Sequence, residues 1–404
     1  MKKILLHKEK LIVFSDQVIV SASAFLTNIF LAKTLGLENY GLFSSALLVQ
    51  LFILSIFISF ASQVVQVTYN KLEVSIQKQY ISGLFYIIIV IITILFFIGI
   101  AISILSSSGL IASVTVCTAA LLIQDFLRKY FIIINQTYKS LLMDLTTNIL
   151  QIITLFILWH LNLLTITNSF IAIGVTFIPS ILMGILWLKV DPYTTNSYKM
   201  AWKIHSEKSK WLILSAILQW FGGYFFVIAA GWWIGPAALG ALRLLQYLFG
   251  TLNILLQAVE NYLLPKLYQI KDKNTYQNIL TKKMLLIIAP FIFLLVIFSN
   301  FILEQVGGKE YIQYSYIMYG LAIIYVVMTI NYPIRMMIRS NSFEKEFFIG
   351  YVLMFFFSTI TAAYLIKNFQ LYGVLIGLLG TQIIAFVYWS YILRSKLSYK
   401  GNTN

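Results

Sequence analysis

Twelve mostly apolar stretches, each about long enough to cross a bilayer, govern what this 404-residue chain can fold into. They run approximately 11–34, 41–67, 80–105, 109–131, 143–160, 168–188, 211–233, 241–264, 284–303, 311–333, 347–366 and 371–393. A helix needs about 20 such residues to traverse the hydrocarbon core. No water reaches that core, so every backbone N–H and C=O must be paired within the segment, and a helix of this length does that. The composition agrees: 60% of residues are hydrophobic and 11% charged, against about a quarter charged in soluble domains. The connectors are short and none holds a soluble domain. The expected fold is an all-α membrane protein of about 12 transmembrane helices.

The opening MKKILLHKEK, the apolar run after it and the SASA at Ser21–Ala24 imitate a cleaved signal peptide. Asp16 and Gln17 interrupt the would-be apolar core, and the run continues to Leu35, so an uncleaved first membrane helix is expected. Cys117 is the single cysteine, which excludes a disulfide scaffold. His7, His160 and His205 share no metal-ligand spacing, so neither a metal nor a cofactor is expected.

The net charge of +15 is organised by topology. With the N-terminus placed in the cytoplasm, the cytoplasmic connectors and tails hold 25 of the 29 Lys and Arg residues. The outer side holds Lys33, Lys309 and Lys367, and Arg243 lies inside the eighth span. This is the positive-inside pattern, with both termini cytoplasmic. The charge is spread over seven segments with no concentrated patch, so it is no nucleic-acid footprint. It does suit attraction to anionic membrane lipids.

The longest basic connector, VDPYTTNSYKMAWKIHSEKSK (Val190–Lys210), falls at the midpoint. It reads as a cytoplasmic linker between an N-terminal lobe, 1–189, and a C-terminal lobe, 211–404, and its MAWKIHSEKSKW suits a short helix lying in the interface. Six spans per lobe start the seventh span on the same side as the first, so the repeat is parallel. LGLENYGLFSSALL (Leu35–Leu48) and IGPAALGALRLLQY (Ile234–Tyr247) mark it. Each has two glycines with four residues between, Gly36 and Gly41 in one and Gly235 and Gly240 in the other, offset by 199 residues. Glycine closes a helix in the left-handed conformation and lets the next helix start close by; Pro236 suits a helix start. Two six-helix lobes around a central cavity form an alternating-access transporter pattern.

NIFLAKTLGLENYGLFSSALLVQ (Asn28–Gln50) resembles the first hairpin of bacterial polysaccharide flippases, which reads apolar helix, Leu-Gly, a few polar residues, Tyr-Gly and a second helix. GWWIGPAALGALRLLQYLFGTLNILLQAVENYLLPKL (Gly231–Leu267) is similar to their seventh and eighth helices. The second corner departs from the pattern, with Ile234 before Gly235 and Leu239 where the first copy has Tyr40. The motif match covers about 60 residues, and the twelve-helix layout covers the rest. These flippases form the polysaccharide-transporter branch of the multidrug/oligosaccharidyl-lipid/polysaccharide (MOP) exporter superfamily. The resemblance implies a carrier in the bacterial cytoplasmic (inner) membrane, not an enzyme. It implies translocation of a lipid-linked oligosaccharide, on undecaprenyl diphosphate, from the inner to the outer leaflet for O-antigen or capsule synthesis. A polysaccharide polymerase and a chain-length regulator are the partners it suggests.

Ionisable residues inside spans are costly and are functional candidates by default. Asp16 (span one), Asp125 (span four) and Glu260 (span eight) are candidates for coupling to H⁺ or Na⁺. Asp125 also has a structural alternative, a bridge to Arg128 one turn on, and Asp144 can cap span five. In span eight Gln246, Asn253, Gln257 and Glu260 recur at spacings of seven, four and three, with Arg243 three residues earlier. One helical face therefore carries them all, either lining a cavity or joining helices by hydrogen bonds. Arg243, Gln246, Asn253 and Gln257, with Asn28, Lys33 and Gln50 of the first hairpin, are the substrate-binding candidates. Lys33 has the alternative of snorkelling to the outer interface. Spans three, nine and eleven are nearly pure Ile, Leu, Val and Phe and should face lipid.

Two other functions stay open at this point. A cation-coupled multidrug antiporter of the same superfamily would need lobe carboxylates, and a membrane glycosyltransferase would need a long extracytoplasmic loop that the connectors do not provide. The charge pattern makes a direct prediction. In a Cys117→Ser background, a membrane-impermeant thiol reagent on intact cells should label a cysteine at position 39 and not one at position 206. Labelling at 206 overturns the topology.

Overall fold

The computed structural model describes the backbone of residues 2–401 apart from 268–269 and 271–272. Its side chains are described except at 1–14, 254, 257–258, 261–262, 264–266, 268–269, 271–274 and 397–404. The helices in order are α1 (Lys2–Leu35), α2 (Leu37–Phe60), α3 (Ser62–Thr68), α4 (Val74–Leu105), α5 (Gly109–Ile133), α6 (Thr137–His160) and α7 (Ile166–Leu188). There follow α8 (Thr195–Trp233), α9 (Pro236–Leu267), α10 (Lys273–Ile297), α11 (Ser299–Val306), α12 (Tyr316–Ser340) and α13 (Glu344–Gly401). Among the described residues ten helices are long and apolar enough to cross a membrane. Gln370, at φ 52° and ψ −132°, divides α13 into two arms, one for each of the last two expected spans. With the 32-residue α9, every expected span is mostly helical; the second and ninth break at Ala61 and Phe298, and the tenth begins on the 3-10 turn Lys309–Tyr314.

Several helices outrun their apolar segments. α6 begins at Thr137, not near 143, while α5 takes in Arg128 and Lys129, and α12 takes in Arg335 and Arg339. Much of the charge expected in connectors therefore sits on the last turns of helices. The linker is likewise mostly helical. Residues 195–210 are the first turns of the 39-residue α8, not a separate helix lying in the interface. The reason is a polar clasp. His205 is fully buried, its Nε2 2.7 Å from the Tyr80 hydroxyl and its Nδ1 2.7 Å from the Phe60 carbonyl oxygen. A carbonyl only accepts, so Nδ1 carries the proton. Lys208 donates to Thr68 Oγ1 at 3.0 Å. These bonds hold the segment against α2, α3 and α4 rather than against lipid head groups.

Contacts divide the chain into two compact units, 1–27 with 46–217, and 28–45 with 218–404. In the first, α4, α5, α6 and α7 pack around Leu84, Ile88, Leu122, Phe126, Phe131 and Met143, all nearly inaccessible. In the second, α12 is central and packs on α9, α10 and α13. The outward faces of α4 (Ile94, Phe97, Ile98), α10 (Leu286, Ile287, Phe293) and the first arm of α13 (Phe356, Ile360) are exposed apolar surface, as lipid-facing helices require.

Residues 28–45, the end of α1 and the start of α2, belong to the second unit. Both glycine corners therefore lie in it. Gly36 (φ 78°) and Gly235 (φ 124°) take the left-handed conformation that ends α1 and α8, and Pro236 opens α9. The second glycine of each corner serves the other corner. A Cβ built on Gly41 would lie 1.8 Å from the Pro236 carbonyl oxygen, and one built on Gly240 would lie 2.4 Å from the Leu37 carbonyl oxygen. Two helix starts thus cross at backbone contact. Glu310 strengthens the seam by accepting the Leu37 backbone N–H at 2.7 Å, which caps α2, and Lys33 donates to the Gln305 carbonyl oxygen at 3.1 Å.

Overpacking a close contact costs roughly 1–3 kcal/mol. Gly41→Ala and Gly240→Ala should therefore shift the seam toward an open form. A cysteine at position 239, inaccessible in the closed seam, should react with a thiol reagent about tenfold faster in either variant. Unchanged labelling would show that the seam does not depend on the missing side chains.

Candidate functional site

Arg243 lies two turns into α9, behind the crossed corners, and is only 5% exposed. Its Nη1 donates to Gln246 Oε1 at 3.2 Å and its Nη2 to the Tyr247 hydroxyl at 3.1 Å. The guanidinium carbon stands 4.8 Å from the Tyr247 ring centre and 5.8 Å from that of Tyr224. Its Nε is buried and has no hydrogen-bond partner. Among the described residues no carboxylate pairs with it. Aromatic faces attract a guanidinium by about 0.5–2 kcal/mol, well short of the cost of an isolated buried charge. The pocket is therefore electrostatically incomplete, and an anion would complete it. Tyr40, fully buried, donates to Asn28 Oδ1 at 3.1 Å.

Farther along the same face, Asn253 Nδ2 donates to the Tyr325 hydroxyl at 3.2 Å, and its Oδ1 is unpaired. Gln257 falls outside the described side chains. Glu260, 5% exposed, ends the stripe, with Arg335 on one carboxylate oxygen and Arg339 on the other. Arg335 also lies over the Tyr332 ring at 4.2 Å. One carboxylate thus faces two guanidiniums, which leaves positive charge in excess.

The first unit has the converse arrangement. Asp16, Asp125 and Asp144 are all buried. Arg128 Nη1 lies 2.9 Å from Asp144 Oδ2 and 3.7 Å from Asp16 Oδ2. Gln124 Nε2 donates to Asp144 Oδ1 at 2.9 Å, and Ser140 Oγ to Asp16 Oδ2 at 3.4 Å. Asp16 Oδ1 is buried with no partner. Two expectations are corrected here. Asp125 pairs with Lys129 at 2.9 Å, not with Arg128, because Arg128 turns toward α1 and α6. Asp144 does not cap a helix; α6 starts at Thr137, which puts Asp144 inside it.

The hairpin candidates have structural partners. Gln50 Nε2 donates to Cys117 Sγ at 3.3 Å in the first unit, while Asn28 and Lys33 sit in the second with the bonds given above. Of the expected binding residues, the structure brings Arg243 and Gln246 into one cluster. Two partners escape the sequence reading, Arg335 and Arg339, which count there as connector charges, while Arg128, expected to bridge Asp125, instead joins Asp16 and Asp144. The signal for Arg335 and Arg339 was their spacing of four, just after Pro333, which places both on one face of a helix.

Comparison with known proteins gives the fold a context. No family model and no curated protein sequence matches the chain. Among solved structures it is similar to "Lipid II flippase MurJ, inward closed conformation", with TM-score 0.73, 14% identity, 96% of this chain and 87% of that chain covered. It is similar to an inward-facing multidrug resistance MATE family transporter of the MOP superfamily, with TM-score 0.73, 11% identity, and 97% and 96% covered. An outward-facing MATE structure matches at TM-score 0.64 and 13% identity, with 98% and 97% covered. The chain thus has the fold of these multi-pass membrane transporters.

Breaking a buried ion pair by removing one partner costs about 3–5 kcal/mol. Arg128→Met strands Asp16 and Asp144 together, and should sharply lower the melting temperature of the detergent-purified protein. Lys129→Met removes a partner from Asp125 alone and should cost less. Equal melting temperatures for wild type and Arg128→Met would remove Arg128 from the stability of this unit.

Proposed function

We propose that the chain is a MOP-superfamily flippase. It carries an oligosaccharide linked to undecaprenyl diphosphate across the bacterial cytoplasmic membrane, with both termini cytoplasmic. The proposed cycle is alternating access by lobes 1–189 and 211–404, supplying a polysaccharide polymerase and its chain-length regulator for O-antigen or capsule. The observation that carries this reading is Arg243: a buried guanidinium with, among the described residues, no carboxylate and no partner for its Nε. Its planar fork suits bidentate contact with phosphate oxygens. Gln246 on the same face suits a sugar hydroxyl. The chain is as similar to a multidrug transporter as to a structure named as a lipid II flippase, and a lipid-linked substrate is preferred because a drug would bring Arg243 no phosphate.

Coupling is assigned to Asp16. It shares Arg128 with Asp144, so the three charges sum to minus one, and a proton or Na⁺ at the unpartnered Asp16 Oδ1 would neutralise the cluster. Glu260, already held by two arginines, is the poorer cation site.

Arg243→Ala should abolish most surface polysaccharide while lipid-linked repeat units accumulate and the protein remains in the membrane. Arg243→Lys keeps the charge without the fork and should fall between Ala and wild type. Normal export by Arg243→Ala would remove the residue as a substrate ligand. Asp16→Asn should abolish any dependence on an ion gradient, and unaltered gradient dependence in that variant would reject Asp16.

A further inference from the structure

A second cavity opens where the first turns of α10, the end of α12 and the end of α13 meet, all within the second unit. Its volume is about 380 Å³. It has two chemically different walls. Gln277, Asn278, Ser390 and Arg394 supply amide, hydroxyl and guanidinium groups, while Ile330, Ile334, Phe386 and Leu393 supply an apolar wall. The sequence produces this directly. Phe386, Ser390, Leu393 and Arg394 recur at helical spacing down one face of the last arm, and Ile330 and Ile334 are one turn apart on α12.

Among the described residues the charge at the mouth is unopposed. Arg394 makes no ion pair or hydrogen bond among the described residues, and no Asp or Glu lines the cavity there. The neighbouring acid, Glu346, is taken by Lys396. Thr281 spends its hydroxyl on the Gln277 carbonyl oxygen at 2.9 Å, which leaves the side-chain amides of Gln277 and Asn278 as the donors beside Arg394. On the loop-charge topology this is the cytoplasmic end of the helices. Basic pockets between transmembrane helices on that side are suited to lipid head groups.

We propose that this cavity is a binding site for an anionic phospholipid of the surrounding membrane. The phosphodiester sits against Arg394, Gln277 and Asn278, and the first part of an acyl chain lies along Ile330, Ile334, Phe386 and Leu393. The apolar wall selects a lipid over a free phosphate, and the guanidinium selects an anionic lipid over a zwitterionic one. The site is separate from Arg243 and does not depend on which substrate the chain carries.

The test uses the full-length protein in a neutral detergent. Its thermal unfolding is followed with phosphatidylglycerol, with phosphatidylcholine of the same acyl chains, or with inorganic phosphate. Phosphatidylglycerol should stabilise the protein, and the other two should not. Arg394→Gln should weaken the phosphatidylglycerol effect about fivefold in apparent affinity, as for one basic residue at a lipid surface, while Lys396→Gln keeps it. Ser390→Trp, which fills the cavity, should remove one retained phosphatidylglycerol in native mass spectrometry; Arg394→Gln gives the same readout if that variant folds poorly. Equal stabilisation by inorganic phosphate assigns the site to a free anion and overturns the proposal. Identical phosphatidylglycerol binding by wild type and Arg394→Gln overturns it as well.

Discussion

The crossing of the two glycine corners is the contact on which the second unit depends. Gly41 and Gly240 bring the starts of α2 and α9 to backbone distance. Helices in lipid gain little by burying apolar side chains against each other, because the lipid is as apolar as they are; small residues and close packing do the work instead. A seam of this kind needs both halves. That explains why the chain makes the same corner twice, half its length apart: each copy supplies the small residue against which the other copy's first turn rests. The consequence reaches inward, since the crossing buries Tyr40 and closes the end of α9 where Arg243 stands.

The shared buried ion clusters of the two units have opposite sign. In the first, Asp16 and Asp144 share Arg128; in the second, Arg335 and Arg339 share Glu260. Low dielectric makes each group expensive unless paired, and an uneven ratio leaves one charge for something else to balance. A cation suits the first cluster. In the second unit the arginine pair and Arg243 both call for anions. The pairing also disciplines the reading of single residues. Glu260, taken alone a coupling carboxylate, has a guanidinium on each carboxylate oxygen.

The spans, their order and the glycine corners were legible because they rest on one-dimensional signals: apolar length, alternating loop charge and a repeated spacing. The helix-face argument also placed Gln246 beside Arg243. What stayed hidden were pairings between helices distant in sequence. Asp144 looked like a cap because its apolar run starts near 143, yet helix formation does not need apolar residues and α6 begins six residues earlier. Arg128 looked like the partner of Asp125 because it is the next turn of the same helix; the competing carboxylates come from α1 and α6, which no spacing reveals. Gln50 pairs with Cys117, 67 residues away, which no spacing reveals. The helical continuation of the linker into α8 was missed for a related reason: His205 reads as a linker histidine until Tyr80 and Phe60 surround it.

A ligand shifts a conformational equilibrium only by the difference in its affinity for the two states. Arg243 is buried against Tyr224 and Tyr247, and its Nε–H has no hydrogen-bond partner among the described residues. The seam itself rests on glycine contacts, one carboxylate cap from Glu310 and one lysine bond, each modest and each local to the surface. The incomplete neutralisation of Arg243 is relieved only by an anion. On the proposed function the two features act together: the diphosphate gains most where Arg243 is accessible, and binding there favours whichever arrangement of residues 28–45 leaves room for it. On that proposal the cycle is driven by the Arg243 charge, for which the described residues supply no carboxylate, and gated by the glycine seam.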